Sequence, residues 1–291
     1  MKRFISRSLQ NTQILGLTLL CKLPPQLFVK TFNFLNKLFV RYPISIAVNK
    51  KVSQDAQCTL FTVKDDGDKL TITHPGRIRL YRNRIKSRLD ELIELYPISD
   101  IKFSADDLIV DCGANIGEVT KALQNKYQVH AICIEPEAKE VIALRQNTLS
   151  EKTNIYQTLL WKEDSTITFY QNNESANSTV FTNNDTAKGI ECEAKKLTTI
   201  LKNDSLFKKN GKIKLLKVEA EGAEPEILEG ASDILPKVEY VVIDCGPERA
   251  SSEEKNTVIA VLQILLQYNF RPIKFNHQRT AFLFSNKNYH E

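Results

Sequence analysis

The chain has 291 residues, 42% of them hydrophobic and 26% charged, an ordinary globular composition that excludes disorder as the default state and leaves room for one large α/β domain plus an appendage. The net charge is +5, and basic residues run from Lys2 to Lys287 without an aromatic-interleaved stripe, so nucleic acid is not the expected partner. Six cysteines stand apart with no C-x-x-C spacing, which excludes a legible zinc site and fits buried thiols in a reducing, cytoplasmic compartment.

In chain order, "ILGLTLLC" (Ile14 to Cys21) follows basic residues and could serve as the apolar core of a signal peptide. It is interrupted by Lys22, "KLPPQ" is not a small-residue cleavage site, and a spanning helix would need about 20 apolar residues. After Pro25, the residues Phe28, Phe32, Leu35 and Phe39 recur at helical spacing with Lys30, Asn33 and Lys37 opposite, which predicts an amphipathic helix. It packs on the main domain or it lies on a membrane surface; both readings stay open, the second adding peripheral membrane association. Residues 1–50 are thus expected to be N-terminal amphipathic helices. Residues 51–105 read as a cap: "CTLFTV" and "LTITH" alternate around "KDDGDK" as a hairpin, and a basic run leads into a helix, Ile85 to Tyr96, with Leu89, Leu92, Ile93 and Tyr96 on one face. The arginines of that run form a solvated face or, alternatively, an anion site.

Residues 106–291 alternate strands and helices. "LIVDC", "VHAICIE", "NIYQTLLW", "TITFYQ", "KIKLLKVEA" and "VEYVVIDCG" are apolar runs, with helices near Val119–Lys126, Ala138–Asn147, Pro225–Ala231 and Glu253–Tyr268. Such runs predict a parallel sheet covered on both faces. The last two strands, "FRPIKF" and "TAFLFS", are joined by only "NHQR", too short for a parallel crossover, so they must form an antiparallel hairpin. A doubly wound, mostly parallel α/β sheet ending in a reversed strand is the Rossmann-like architecture expected of class I methyltransferases.

The glycine turn after the first of these strands, "DCGANIGE", offers Gly113 and Gly117, but Asn115 stands where a dinucleotide turn needs its middle glycine. The Lys-Ser/Thr ending of a phosphate loop is absent too. What remains is Asp111 at one strand end, a tight turn, and Glu135 at the end of the next, placed to accept both ribose hydroxyls. Adenosine carrying an amino-acid tail suits this set: Asp111 near the sulfonium and amino group, Gly113 for close backbone approach, Glu135 on the ribose. That is an S-adenosylmethionine site; the alternative is that Asp111 and Glu135 merely end strands and cap helices.

"VDCGANIGE", "IEPEAKEVIALRQN", "LLKVEAEGAEPEILEGA" and "VIDCGPER", in this order, resemble the FkbM-type methyltransferase family over about Asp107 to Arg249. The resemblance implies a class I methyltransferase fold, S-adenosylmethionine as donor and O-methylation of a hydroxyl on a sugar, glycolipid or polyketide-like product. Glu219 stands where the family pattern usually has Asp, and Thr198 follows Leu197 where Asp is common.

Ligands of open α/β sheets lie at the carboxyl ends of the strands. Glu219 and Glu221 follow one strand, Asp244, Glu248 and Arg249 the next, and the terminal turn adds His277 and Arg279. Glu224 and Glu226 read as a helix start. An alcohol acceptor must lose a proton as the methyl arrives, which calls for a carboxylate or histidine. Glu221 is the first candidate and His277 the second, with Glu219 beside the donor. The other histidines read as structural. The rim carboxylates could hold a divalent cation, but they lack ligand spacing, and no metal is expected. Trp161 packs on adenine or fills the core. The competing readings are a methyltransferase of RNA or protein and a non-catalytic nucleoside-binding module.

Overall fold

A computed structural model of the chain describes residues 19–40, 43–52, 57–170, 179–181, 189–247, 249 and 256–289. Most of the "ILGLTLLC" run, together with Glu248 and His290, lies outside the described residues. The chain divides into two units, residues 1–88 and 89–291.

In the first unit, helix α1 (Pro25–Leu35) opens on a proline, whose missing N–H costs nothing at that position. Its Phe28 and Phe32 are buried, and Phe28 meets Phe61 edge to face at 5.8 Å. Strands β1 (Ser45–Val52), β2 (Gln57–Asp65) and β3 (Asp68–Ile72) form an antiparallel sheet in that order. The expected hairpin is β2–β3, closed by Asp66 and Gly67, the latter at φ +92°. Strand β1 corrects the expectation that residues 1–50 are helical throughout. Besides β2, side chains of the helix and the turn after it meet this stretch: Asn33 Nδ2 donates to the Ile46 carbonyl (2.8 Å), Ile46 N–H donates back to Asn33 Oδ1 (3.0 Å), and Asn36 Nδ2 donates to the carbonyl of Ile44, just ahead of β1 (2.8 Å). Asn33, expected on the solvent face, instead satisfies strand backbone. Of the arginines in the basic run, Arg79, Arg82 and Arg84 are exposed while Arg77 and Arg88 are half-buried, and Arg84 pairs with Asp65 and Asp66 (2.9 Å each).

Helix α2 (Ile85–Leu95) leads from one unit into the other, and Leu89, Leu92, Ile93 and Tyr96 are all buried. The second unit is built on β4 (Leu108–Cys112), β5 (His130–Ile134), β6 (Thr153–Tyr156), β10 (Ile213–Val218), β11 (Val238–Asp244), β12 (Phe270–Asn276) and β13 (Ala281–Asn286). Among the described residues they make one sheet in the order β12-β13-β11-β10-β4-β5-β6. All pairs are parallel except β13, which runs antiparallel to both neighbours. This is the reversed hairpin expected from "NHQR". The β4 strand is buried at every residue, so the sheet is covered on both faces. Helices α3 (Glu118–Tyr127), α4 (Ala138–Asn147), α5 (Leu197–Asn203), α6 (Ser205–Asn210), α7 (Glu224–Gly230) and α8 (Val258–Gln267) fill the connections.

Two apolar runs expected in the main sheet are placed otherwise. "NIYQTLLW" splits into β6 and a short β7 (Leu159–Leu160), and "TITFYQ" becomes β8 (Ser165–Phe169). With β9 (Ile190–Lys195), β7 and β8 form a separate three-stranded sheet in the order β7-β9-β8. The half-exposed, alternating burial of β8 and β9 is that of a sheet wetted on one face, unlike β4.

Candidate active site

The turn that leaves β4 carries three residues of left-handed backbone, Gly113 (φ +70°), Asn115 (φ +51°) and Gly117 (φ +82°). A Cβ on Gly113 would stand 1.8 Å from the Glu219 carbonyl oxygen, so the close backbone approach expected there is made by the chain itself. Gly117 meets the Leu144 side chain of α4 in the same way, at 2.5 Å, and lets helix and turn pack together. The N–H groups of this turn are largely engaged. Gly113 and Ala114 both donate to the Ile134 carbonyl (3.0 Å each), Gly117 donates to the Ala114 carbonyl (2.8 Å), and Asn115 donates to Glu135 Oε2 (2.8 Å). A phosphate cradle would aim such donors at its ligand. This turn spends them on the next strand, in line with the missing dinucleotide signature.

Glu135, at the end of β5, also accepts from Glu137 N–H through Oε1 (3.0 Å) and is 6% exposed. Burial pushes its carboxyl up to about 7, and the two backbone N–H bonds oppose the rise in part. A carboxylate has about four lone-pair sites. Two are used here, which leaves acceptor capacity for a vicinal diol.

Asp111 is 1% exposed. Its Oδ2 accepts from the Thr120 hydroxyl (2.8 Å), and Oδ1 lies 3.0 Å from Lys217 Nζ, an ionic contact without hydrogen-bond alignment. Register explains the pair, because Asp111 and Lys217 are direct neighbours across β4 and β10 and so emerge on one face of the sheet. Lys217 donates to the Gly113 carbonyl (2.8 Å) and pairs with Glu219 Oε2 (3.1 Å), tying strand end, turn and next strand end together. Direct contact between Asp111 and a ligand amino group would have to displace Lys217.

Glu219 is the hub. Besides its ion pair with Lys217 it accepts a hydrogen bond from the Tyr96 hydroxyl and pairs with Arg279, whose Nε lies 3.0 Å from Asp244 Oδ2. The Arg279 guanidinium stacks on the Tyr96 ring with its centre 4.4 Å from the ring centroid. Tyr96 is fully buried, and burial raises its phenol far above the usual range, so it is a hydrogen-bond donor and not a titrating acid. Arg279 reaches the hub because Ala281 pairs with Asp244, which sets the terminal turn beside the end of β11.

The residues 220–224, "AEGAE", form a locked turn. Glu224, expected to start a helix, does so and accepts from Ala220 N–H (2.9 Å) and Gly222 N–H (3.1 Å) through one oxygen. Arg249 donates to the Gly222 carbonyl (2.6 Å), pairs with Glu226 and stacks on Phe181 at 4.5 Å. The Thr179 hydroxyl donates to the Glu221 carbonyl (2.9 Å). Glu221 is thereby held at φ +49°, a conformation a non-glycine residue keeps only when its surroundings impose it.

The structure thus joins Asp111, Gly113 and Glu219 through Lys217, and Asn115 with Glu135 through one hydrogen bond. Glu221 sits in its own clamped turn. His277 is exposed on the terminal turn, two residues before Arg279. Trp161 is partly buried against the core, with its ring 6.3 Å from Phe181. Lys217, Tyr96 and Thr120 went unnoticed as site residues; a lysine near the carboxyl end of the apolar run "KIKLLKV" was the available signal. Among the described residues, no group of three or more His, Cys, Asp or Glu could hold a metal ion.

The family model described as the methyltransferase FkbM domain matches residues 111–272. No curated protein matches the sequence. Solved structures with similarity include methyltransferase FkbM from Methylobacillus flagellatus KT, at 17% identity and TM-score 0.44, covering 72% of this chain and 54% of that one. Precorrin-6y C5,15-methyltransferase from Geobacter metallireducens GS-15 aligns at 8% identity and TM-score 0.38, covering 68% and 87% of the two chains. TrmK from M. capricolum, in complex with S-adenosyl-homocysteine, aligns at 12% identity and TM-score 0.38, covering 68% of each. The chain therefore spans about half the length of the first of these proteins.

Proposed function

The chain belongs to the FkbM family of S-adenosylmethionine-dependent methyltransferases, and from that premise we propose that it methylates a hydroxyl on a sugar, glycolipid or other small-molecule acceptor. The observation that carries the donor assignment is the pairing of a buried acid, Glu135, with a glycine turn whose N–H groups are engaged internally. That combination receives a ribose diol and offers little to a pyrophosphate. S-adenosylmethionine, when bound, supplies an electrophilic methyl group on a sulfonium.

Glu135 accepts the ribose hydroxyls in this reading, and the turn from Gly113 to Gly117 shapes the adjoining wall. Asp111 and Lys217 hold that turn from beneath. Glu219, with the Tyr96 hydroxyl donating to it and Lys217 and Arg279 paired with its oxygens, can take an acceptor proton only by giving up one of those contacts, so it positions the strand ends. Glu221 is the acceptor's base, and His277 is the next candidate. Transfer from a sulfonium is an in-line displacement in which alignment supplies much of the rate, and the clamps on residues 220–224 supply alignment. Six cysteines that stand apart without C-x-x-C spacing support extending this reading to a reducing, cytoplasmic setting.

The test is single-turnover transfer of a labelled methyl group to a panel of sugar and lipid-linked glycan acceptors. Glu221→Gln keeps size and hydrogen bonding but removes basicity. Turnover should fall roughly 10²–10⁴-fold with donor affinity and melting temperature unchanged. Wild-type turnover by Glu221→Gln would pass the role to His277, and the absence of transfer to any hydroxyl would refute the acceptor class.

A further inference from the structure

The charge of this chain is not evenly distributed. From Met1 to Gln54 there are nine lysines and arginines and no acid, while residues 55–291 carry the remaining 31 basic residues against all 35 acids. The whole net charge of +5 is therefore 9 minus 4, an excess that comes from the N-terminal segment alone.

Helix α1 lies in that segment. Its Phe28 and Phe32 are buried in the first unit, yet it carries a second apolar row that runs on into the π-helical turn Asn36–Val40: Leu27 and Phe34 of the helix and Leu38 of the turn are 49%, 62% and 49% exposed. Leu27 and Phe34 are seven residues apart and so lie on one line along the helix. Lys30 and Lys37, both exposed, run in a parallel row beside it at the same spacing. Lys22, also exposed, stands just ahead of the helix. Among the described residues no helix is long and apolar enough to cross a membrane.

We propose that the outer face of α1 and the π-helical turn after it, with Leu27, Phe34 and Leu38 as the inserted row and Lys22, Lys30 and Lys37 as the flanking charges, docks the protein on an anionic lipid surface. An apolar row edged by lysines is what a helix lying in the headgroup region requires, the side chains entering the acyl boundary while the ammonium groups meet lipid phosphates. A second copy of the chain is a poor occupant, because two such faces would bring like charges together. Three side chains also fall well short of the roughly 800 Å² per partner of a stable protein interface. Lipid supplies both the apolar depth and the opposite charge.

Co-sedimentation of the full chain with phosphatidylcholine vesicles, with and without phosphatidylglycerol, tests this. Binding should require phosphatidylglycerol and weaken as salt rises. Replacing Lys30 and Lys37 together by Gln should lower partitioning about 25-fold, from about fivefold per lysine near a charged surface. Phe34→Glu should abolish binding without lowering the melting temperature, since Phe34 is already exposed. Ile259→Glu, at a comparably exposed apolar residue of α8 (56%), should bind as wild type. Equal sedimentation with both vesicle types, or binding unaltered by Phe34→Glu, would overturn the proposal. So would concentration-dependent self-association that Phe34→Glu removes, since the face would then belong to a second copy.

Discussion

Glu135 makes the donor site sensitive to pH in a direction the structure sets. Its carboxyl is raised from an ordinary value of 4.5 to about 7, chiefly by burial. A carboxyl shifted upward binds its proton more tightly in the folded state than in the unfolded one. Its contribution to stability is therefore full below pH 4.5 and is lost as pH rises through about 7. At about 1.36 kcal/mol per pH unit, that interval corresponds to about 3 kcal/mol for the ligand-free protein. Ribose hydroxyls donate to the ionised carboxylate and favour it, so binding should run against the same proton. S-adenosylhomocysteine should release up to one proton per site when it binds below about pH 7, and its affinity should fall up to about tenfold per pH unit below that point. Isothermal titration calorimetry in buffers of different ionisation enthalpy measures both quantities. Glu135→Gln supplies the control. It cannot titrate, so proton release should vanish and affinity should be weak at every pH. Because Asn115 and Glu137 donate to different oxygens of Glu135, the single amide oxygen of Gln leaves one of them unpartnered, at about 1–3 kcal/mol. Wild-type protein that binds S-adenosylhomocysteine with constant affinity and no proton release across this range would refute the reasoning.

Three further outcomes are expected. Lys217→Met should cost about 3–5 kcal/mol in urea unfolding, because it leaves Asp111 charged and 1% exposed with its cation gone. Gly113→Ala and Gly211→Ala share nearly the same backbone, φ +70° and +68°, but only Gly113 has a backbone oxygen 1.8 Å from the new Cβ. Gly211→Ala should therefore cost about 1–2 kcal/mol, as left-handed strain alone does, while Gly113→Ala should abolish S-adenosylhomocysteine binding or folding altogether, by thermal melt. S-adenosylhomocysteine at about 100 times its Kd should stabilise wild type by about 2.7 kcal/mol in the same melts, and NADH should not; a larger effect of NADH would sink the donor assignment.

The body of the fold was legible because its signals are local. Runs such as "LIVDC" and "KIKLLKV" exceed what a half-wetted strand tolerates, and "NHQR" is too short for anything but a reversed hairpin, so a parallel sheet with an antiparallel end follows from run length and linker length alone. The absence of a middle glycine likewise rules against a dinucleotide from the sequence alone. Sheet membership was not local: "TITFYQ" reads like any strand, and only its pairing with Ile190–Lys195 places it outside the main sheet. The role of β1 depended on Asn33 of the preceding helix satisfying Ile46 at its edge. The hub around Glu219 was equally hidden. Its donors, Tyr96, Lys217 and Arg279, come from three distant stretches of chain, and an apolar strand shows its lysine without showing the acid beside it. Composition and periodicity determine which segments must be buried. Which charges then meet depends on strand register, and register is settled only when the whole sheet closes, because a one-residue slip sends every side chain to the other face.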